Sequence, residues 1–496
     1  MKQVREAQAQ TEGARKSESP IRARMRVTIA EQRGGGNWER TKATAATHSN
    51  GGKTTLAKLE RIGKVSKERE KEKLTNLGHV IDFDFLLDCF NQLDGKKAVG
   101  VDGITKQDYA ADLTANLSEL LVRIRRGTYR PSAARLVEIP KEDGSTRPLA
   151  ISCIEDKIVQ MATARILESV YEPRFLDCSF GYRPGRSAHD AIASLTHEVS
   201  NVTHGALLEI DLKRYFNSIH HDKLMAVLRM RIADERFLSL IETQLRTPIR
   251  SDGKEVPTTC GVPQGAILSP VLSNVYLHYG VDRWVEAFES TKSSPLTGRV
   301  RLVRYCDDMV FILGKEKDGK IFDALLRERL RKIGIELNEN KSSLQVAGLF
   351  GIEKLVQTGK RPPTFKFLGF VLHWRRRRGN GRYRLGYKPR ADRMRAKLKG
   401  LKEYLRQHRN VRNHLTVLRT VKRVVQGWSR YFAITDCGPV VHKFITEARR
   451  LIHRWFNNRG GRKFISWKKI APILKRLDFP SGPGRLRSMF STYFQG

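Results

Sequence analysis

The sequence predicts an α+β chain, with a mixed front part built on an antiparallel sheet and an all-helical part behind it. Two patterns carry that prediction. Short apolar or alternating runs at residues 134–139, 146–151, 207–212 and 301–313 read as strands set between helical stretches. From about Arg390 the character changes: the chain becomes very basic, and Leu415, Leu418, Val421, Val425, Trp428 and Phe432 fall at helical spacing. Length agrees, because 496 residues exceed one ordinary core.

Charge narrows the partners. With 92 Lys plus Arg against 52 Asp plus Glu, the formal charge is +40, and such a surface repels itself unless a polyanion lies against it. Nucleic acid is the expected partner. No unbroken apolar run is long enough to span a bilayer and no basic-then-apolar segment opens the chain, so neither a membrane partner nor a signal segment is expected. Cys89, Cys153, Cys178, Cys260, Cys306 and Cys437 stand singly, without CxxC or Cys/His spacing. They read as buried reduced thiols, not as a zinc site or a disulfide framework.

In chain order, residues 1–73 have little apolar periodicity and are expected to form a basic, disordered extension. Gly51-Gly52-Lys53-Thr54 looks like the end of a phosphate-binding loop, but Thr47 stands where the leading glycine belongs and no apolar strand precedes it. Residues 74–205 read as helices around one hairpin: an apolar face from Val80 to Leu93, a second helix from about Tyr109 to Arg126, then strands 134–139 and 146–151 joined through Lys141 to Gly144. A long helix to about Tyr171, a Gly/Pro loop over 179–187 and a helix from Ala188 to Val199 follow. Within 206–375, residues 207–212 form a buried strand with Asp211 near its end, and helices occupy 223–245. A short hairpin lies near Gly253, 267–288 are helical, 301–313 are strand, tight turn, strand, and 365–374 hold a further strand pair. Residues 376–458 are the basic helical domain, and 459–496, broken by Gly and Pro, form a short basic appendage and candidate DNA-binding tail.

The chemistry concentrates at Tyr305-Cys306-Asp307-Asp308, where two adjacent carboxylates sit on a tight turn between apolar strands. They repel each other unless cations neutralise them. Asp211 ends another buried strand. Three carboxylates meeting at one sheet edge can hold two Mg²⁺ about 4 Å apart, one activating an attacking 3′-hydroxyl and the other stabilising a pyrophosphate leaving group. Hard oxygen ligands suit Mg²⁺ better than zinc. Taken alone, an Asp-Asp turn is an ordinary surface hairpin, and Asp211 alone reads as a helix cap.

The flanking sequence decides between these. Residues 208–216 (LEIDLKRYF) and 261–270 (GVPQGAILSP) precede the turn and 367–370 (FLGF) follow it. The chain resembles the group II intron-encoded reverse transcriptases and maturases from about Val101 to about Cys437. The resemblance implies a right-hand polymerase, with fingers over 74–205, a palm over 206–375 and a helical thumb or maturase domain over 376–458. Asp211, Asp307 and Asp308 would be its palm acids, with Asp211, Asp307 and the Leu212 carbonyl on the two Mg²⁺ and Asp308 contributing least. Cys306 stands where the family more often has alanine.

Lys141 and Arg147 match the residues that meet the nucleotide triphosphate, with Arg214 and Gln264 also on the nucleotide. Tyr215 matches the aromatic gate against a 2′-hydroxyl, leaving Phe216 to the core. Phe367, Leu368, Gly369 and Phe370 match the primer grip, and Arg183, Arg186 and Ser187 the template contact. Residues 426–432 (QGWSRYF) resemble the maturase domain, although Trp428 and Phe432 at i, i+4 fit a core role better. Implied partners are intron RNA, an RNA template, a DNA primer or target and dNTPs, for a monomer or homodimer in a bacterial cytoplasm near the nucleoid. No Cys/His-rich endonuclease pattern follows Trp455, which resembles lineages lacking that activity. A splicing-only maturase and a host-adopted reverse transcriptase remain the alternatives; buried acids retained at all three positions argue against the first.

Overall fold

The computed structural model describes residues 50–140, 146–251, 254–290, 294–377, 379, 381–458 and 464–490. Among these, two compact units separate: one spans residues 50–368 and 372–385 with 489–490, the other 369–371 and 386–488. No helix among the described residues is long and apolar enough to cross a membrane.

The first unit opens with a correction. Residues 50–68, expected to lack order, form helix α1 (Asn50–Glu68). Its weak periodicity is rescued by tertiary partners: Leu59 and Ile62 are buried, the Ser66 hydroxyl donates to the Val170 carbonyl (2.6 Å), and Arg231 donates to the Ser66 and Arg69 carbonyls (both 2.8 Å). Those bonds satisfy carbonyls that the last helical turn leaves open. The remainder of the expected extension, residues 1–49, lies outside the described residues.

Helices α2 (Phe83–Gln92), α3 (Lys106–Ala111) and α4 (Leu113–Arg126) follow. Asp82 caps α2 and a Thr105/Asp108 capping box starts α3. Gly127, at a φ of 72°, ends α4 in the left-handed conformation glycine favours. Strands β1 (Ala134–Pro140) and β2 (Thr146–Ile151) pair antiparallel, with Ile139 opposite Arg147. They join β4 (Ile249–Ser251) and β5 (Lys254–Val256) in one sheet, ordered β2-β1-β4-β5.

The long helix α5 (Ile154–Tyr171) is buried on nearly every side and packs against α1 and α2. Helix α6 (Ala188–Ser200) leads to β3 (Gly205–Ile210). A short α7 (Tyr215–Ser218) and helices α8 (His221–Arg229) and α9 (Glu235–Leu245) follow. The expected helix over 267–288 is α10 (Ser269–Leu277), a π-turn at His278–Asp282 and α11 (Arg283–Ser290) in succession.

Strands β6 (Val300–Tyr305), β7 (Asp308–Leu313) and β8 (Ser343–Ala347) complete an antiparallel sheet ordered β6-β7-β3-β8. Helices α12 (Asp318–Ile333) and α13 (Leu349–Gln357) flank β8 in the chain. Strands β9 (Thr364–Phe367), β10 (Phe370–Arg376) and β11 (Tyr383–Pro389) form a third sheet, ordered β11-β10-β9.

The second unit is helical: α14 (Ala391–Gln407), α15 (His414–Phe432), α16 (Gly438–Asn457) and α17 (Trp467–Arg476). Trp428 is buried and stacks on Phe444 with ring centroids 3.9 Å apart, so it serves the core, as its spacing indicated. All six cysteines are free; Cys260 is exposed and Cys178 half-buried, which corrects the expectation of six buried thiols.

Asp156, in the first turn of α5, is 2% exposed and accepts a hydrogen bond from the Tyr129 hydroxyl (2.6 Å). Burial pushes its carboxyl up to about 7. The folded state thus holds the proton more tightly than the unfolded chain, whose Asp pKa is about 3.9. This contribution is fully present below about pH 4 and is lost as pH rises through about 7. Asp156→Asn keeps the acceptor without the charge. Its melting temperature should exceed the parent's by several degrees at pH 8 and match it at pH 4, as read by calorimetry at both pH values.

Candidate active site

Strands β3 and β7 pair with Ile210 opposite Met309, and β6 and β7 with Tyr305 opposite Asp308. This register leaves a two-residue turn, Cys306-Asp307, at the sheet end where Asp211 follows β3. Cys306 has a φ of 58°, the positive value that the first position of a two-residue hairpin demands. Asp211 and Asp307 are half-buried. The Asp307 carboxyl is pushed upward, by burial first and by Asp211 in addition, while the Cys306 thiol and the Arg147 guanidinium oppose the rise. Asn338 donates from Nδ2 to Asp211 Oδ2 (2.9 Å) and from its backbone N–H to the Asp211 carbonyl (2.9 Å).

Asp308 is exposed at the start of β7. Among the described residues no three His, Cys, Asp or Glu side chains gather into a cation cage; Asp211 and Asp307 lie within electrostatic reach of each other. Two apposed hard-oxygen donors fit Mg²⁺, which keeps several waters and takes one or two protein carboxylates beside substrate phosphates. Leu212 bridges to Leu337, which continues β3 by one step beyond Asp211.

A buried guanidinium holds the turn. Arg304, with no exposed surface, donates to both Asp282 oxygens (2.8 and 2.6 Å), Asn274 Oδ1 (2.8 Å), Ser179 Oγ (2.8 Å) and the Cys306 carbonyl (3.2 Å). Burial by itself would lower its pKa; Asp282 outweighs that and raises it. The π-turn carries Asp282 at its end. His278, one helical turn earlier, is pushed down to about 3 by burial and then by Arg304. It is therefore neutral beside Asp282.

Two loops close on this turn. A Cβ on Gly181 would lie 2.5 Å from the Cys306 nitrogen, so only glycine lets the 179–187 loop approach so near. The 261–266 loop is fastened at both ends. The Gly261 and Val262 N–H groups donate to the Ile219 and Phe216 carbonyls (2.8 and 2.7 Å), and Ala150 N–H donates to the Gln264 carbonyl (2.7 Å). Gln264 Nε2 reaches Asn217 Oδ1 at 3.4 Å. Gly265, at a φ of 104°, would bring a Cβ within 2.9 Å of the Ala150 carbonyl. The loop thereby ties β2, which carries Arg147, to the turn after Asp211.

The comparisons with known proteins agree with this geometry. A family model described as reverse transcriptase (RNA-dependent DNA polymerase) matches residues 139–372. Protein YkfC of Escherichia coli (strain K12) is 33% identical over 280 residues, which is 50% of this chain and 73% of that protein. The group II intron-encoded protein LtrA of Lactococcus lactis subsp. cremoris is 34% identical over 228 residues, 46% of this chain and 38% of LtrA. The chain belongs to the group II intron-encoded reverse transcriptase and maturase family. An uncharacterized 91 kDa protein in the cob intron of Schizosaccharomyces pombe is 32% identical over 249 residues, 49% of this chain and 30% of that protein. The chain thus spans well under half the length of the two intron proteins.

Several residues assigned by the family resemblance make contacts within the fold. Tyr215 is 2% exposed and donates its hydroxyl to the Ser273 carbonyl (2.8 Å), whereas Phe216 beside it is half-buried. Arg214, exposed with a φ of 49°, precedes α7. Arg183 is 6% exposed and grips Glu172 and the Leu176 and Ser179 carbonyls (2.7 and 2.8 Å). Arg186 pairs with Asp177, and Ser187 caps α6 in a capping box with Asp190. These three residues hold the 179–187 loop in place through bonds within the fold. Tyr182 of that loop is 45% exposed, within electrostatic reach of Asp307 and Arg147.

Lys141 lies outside the described residues. Leu368 and Gly369 have φ of 47° and 83°, a two-residue turn between β9 and β10 with both central residues at positive φ. Phe367 and Phe370 are buried.

Sequence reasoning passed over Arg304, Asp282, Asn274, Asn338 and Tyr182. One signal existed: Arg304 falls on the same strand face as Val300 and Leu302, and a charge at a core position needs a partner. Arg304→Ala strands the Asp282 carboxylate and should cost about 3–5 kcal/mol, whereas Arg304→Met with Asp282→Leu should cost much less. Urea unfolding midpoints of the parent, single and double variants check this.

Proposed function

We propose that this chain is an RNA-directed DNA polymerase that adds dNTPs to a primer 3′-hydroxyl on an RNA template. The observation that carries the reading is the apposition of Asp211 and Asp307 at one sheet end with Arg147 in electrostatic reach. Asp211, Asp307 and the Leu212 carbonyl would hold the two Mg²⁺, and Asp308, exposed, would contribute least. When bound, such ions activate the primer hydroxyl and offset charge on the departing pyrophosphate.

The residues of the chain do the positioning. Arg147 meets the triphosphate charge, with Lys141 and Arg214 as further cations. Gln264, fixed through its carbonyl to β2, lines the nucleotide site. Phe216, and not Tyr215, is the ring available to the sugar edge, because it alone of the two reaches solvent. The turn at Leu368-Gly369, between Phe367 and Phe370, serves as the primer grip. Residues 74–205 act as fingers, 206–375 as palm and 376–458 as the thumb or maturase domain, whose basic helix faces bind the intron RNA to assist splicing and retrohoming. Residues 459–496 extend it toward nucleic acid.

Primer extension on an RNA template with Mg²⁺ tests this reading. Asp307→Ala should lower extension by at least about a thousandfold while RNA affinity holds, and extension at the parent rate would overturn the metal assignment. For the sugar gate, Phe216→Val should admit ribonucleotides and Tyr215→Phe should leave sugar selection unchanged. Competition between dNTP and rNTP incorporation reads both variants, and the reverse pattern would return the role to Tyr215.

A further inference from the structure

The second unit presents an aromatic surface that polymerisation leaves unused. On α16, Arg449 and His453 are four residues apart and share a helix face. Phe464 meets the His453 ring edge-on at 5.5 Å and Trp467 does so at 5.3 Å, while the Arg449 guanidinium lies 5.4 Å over the Trp467 ring. Phe464 is 74% exposed and Trp467 is 40% exposed. These rings are held there. Asn457 donates from Nδ2 to the Ile465 carbonyl (3.2 Å) and accepts the Ile465 N–H at Oδ1 (2.7 Å), and α17 starts at Trp467. Keeping large apolar rings fixed in water is unfavourable, which marks a surface that something covers.

Charge selects the occupant. Between residues 438 and 496 the acids are Glu447 and Asp478 alone, and they pair with Arg450 and Lys422. Arg449 lies over the Trp467 ring, and Arg454, Lys468 and Lys469, next to His453 and Trp467 in the chain, are exposed, so the segment carries positive charge that its two acids do not balance. Exposed rings set among cations fit a phosphate chain with unstacked bases, since each base has a face to lay on a ring. We propose that Phe464, His453 and Trp467 form a stacking platform for unpaired RNA nucleotides, with Arg449, Lys468 and Lys469 meeting the phosphates. A duplex keeps its bases stacked inside and does not fit. The choice of RNA over DNA rests on the proposed RNA-copying activity.

Fluorescence anisotropy with the full chain tests the platform. The probes are a short labelled single-stranded RNA, the duplex of the same sequence and the single-stranded DNA counterpart, in salt high enough to weaken phosphate contacts. Phe464→Ala with Trp467→Ala should weaken single-stranded RNA binding about tenfold or more and leave the duplex unchanged. Phe464→Tyr should bind as the parent does. Phe464→Ala alone, at so exposed a position, should keep the parent's melting temperature and still lose affinity. Equal losses for single strand and duplex, or no loss, would overturn the platform; a loss confined to DNA would overturn the choice of RNA. Primer extension by the parent protein tests the polymerase reading separately, so either claim can fail while the other stands.

Discussion

Everything chemical in the first unit leans on the ion pair between Arg304 and Asp282. A guanidinium has five N–H donors, and here all five find acceptors on four other residues drawn from the 179–187 loop, α10, the π-turn and the Asp307 turn. Burying such a charge is tolerable only with its geometry complete. The pair therefore works as a register pin. It fixes the Cys306 carbonyl, and with it a turn whose first residue already sits at a strained positive φ. The carboxylate of Asp307 is aimed from behind by a group that never touches the solvent side of the site.

Around that pin, close approach of backbone decides which residues face the site. Gly181 and Gly265 let two loops sit against the turn and against β2 at distances that a side chain forbids. Arg183, Arg186 and Ser187 are spent on holding the first loop, and Tyr215 on holding α7 to α10. Asp211, Asp307, Arg147, Gln264, Tyr182 and Phe216 remain at least partly exposed, with Arg214 and Asp308 exposed as well. The scaffolding residues are as polar as the presented ones, because a loop packed against the Asp307 turn still has to satisfy its own carbonyls and amides.

Positive charge is used in two ways. In the first unit many arginines are consumed internally, as Arg165 with Asp88, Arg231 with the end of α1 and Arg304 with Asp282 show. In the second unit the acids are few, and Asp392, Glu403, Glu447 and Asp478 each pair with a basic side chain, so most of its lysines and arginines remain unbalanced positive charge. A charge of +40 summed over the chain thus conceals a division between arginines that build the fold and cations that meet a polyanion.

The sequence by itself determined the α+β class, the helical C-terminal region, nearly every strand of the sheet that carries Asp211 and Asp307, and the family. Periodicity and short motifs are local properties, and local properties survive in one dimension. It missed α1, because that helix draws its stability from Val170 and Arg231, more than a hundred residues away. Strand β8, with only partial burial along most of its length, offered little alternation to read, so Asn338 and Ser342 beside Asp211 went unseen. Tertiary structure alone showed which of two neighbouring rings is enclosed: Tyr215 is buried and Phe216 half-buried. Motif position says that an aromatic or a cation belongs to a segment; only packing says which one is enclosed and which one meets the substrate side, since burial is fixed by elements that arrive from elsewhere in the chain.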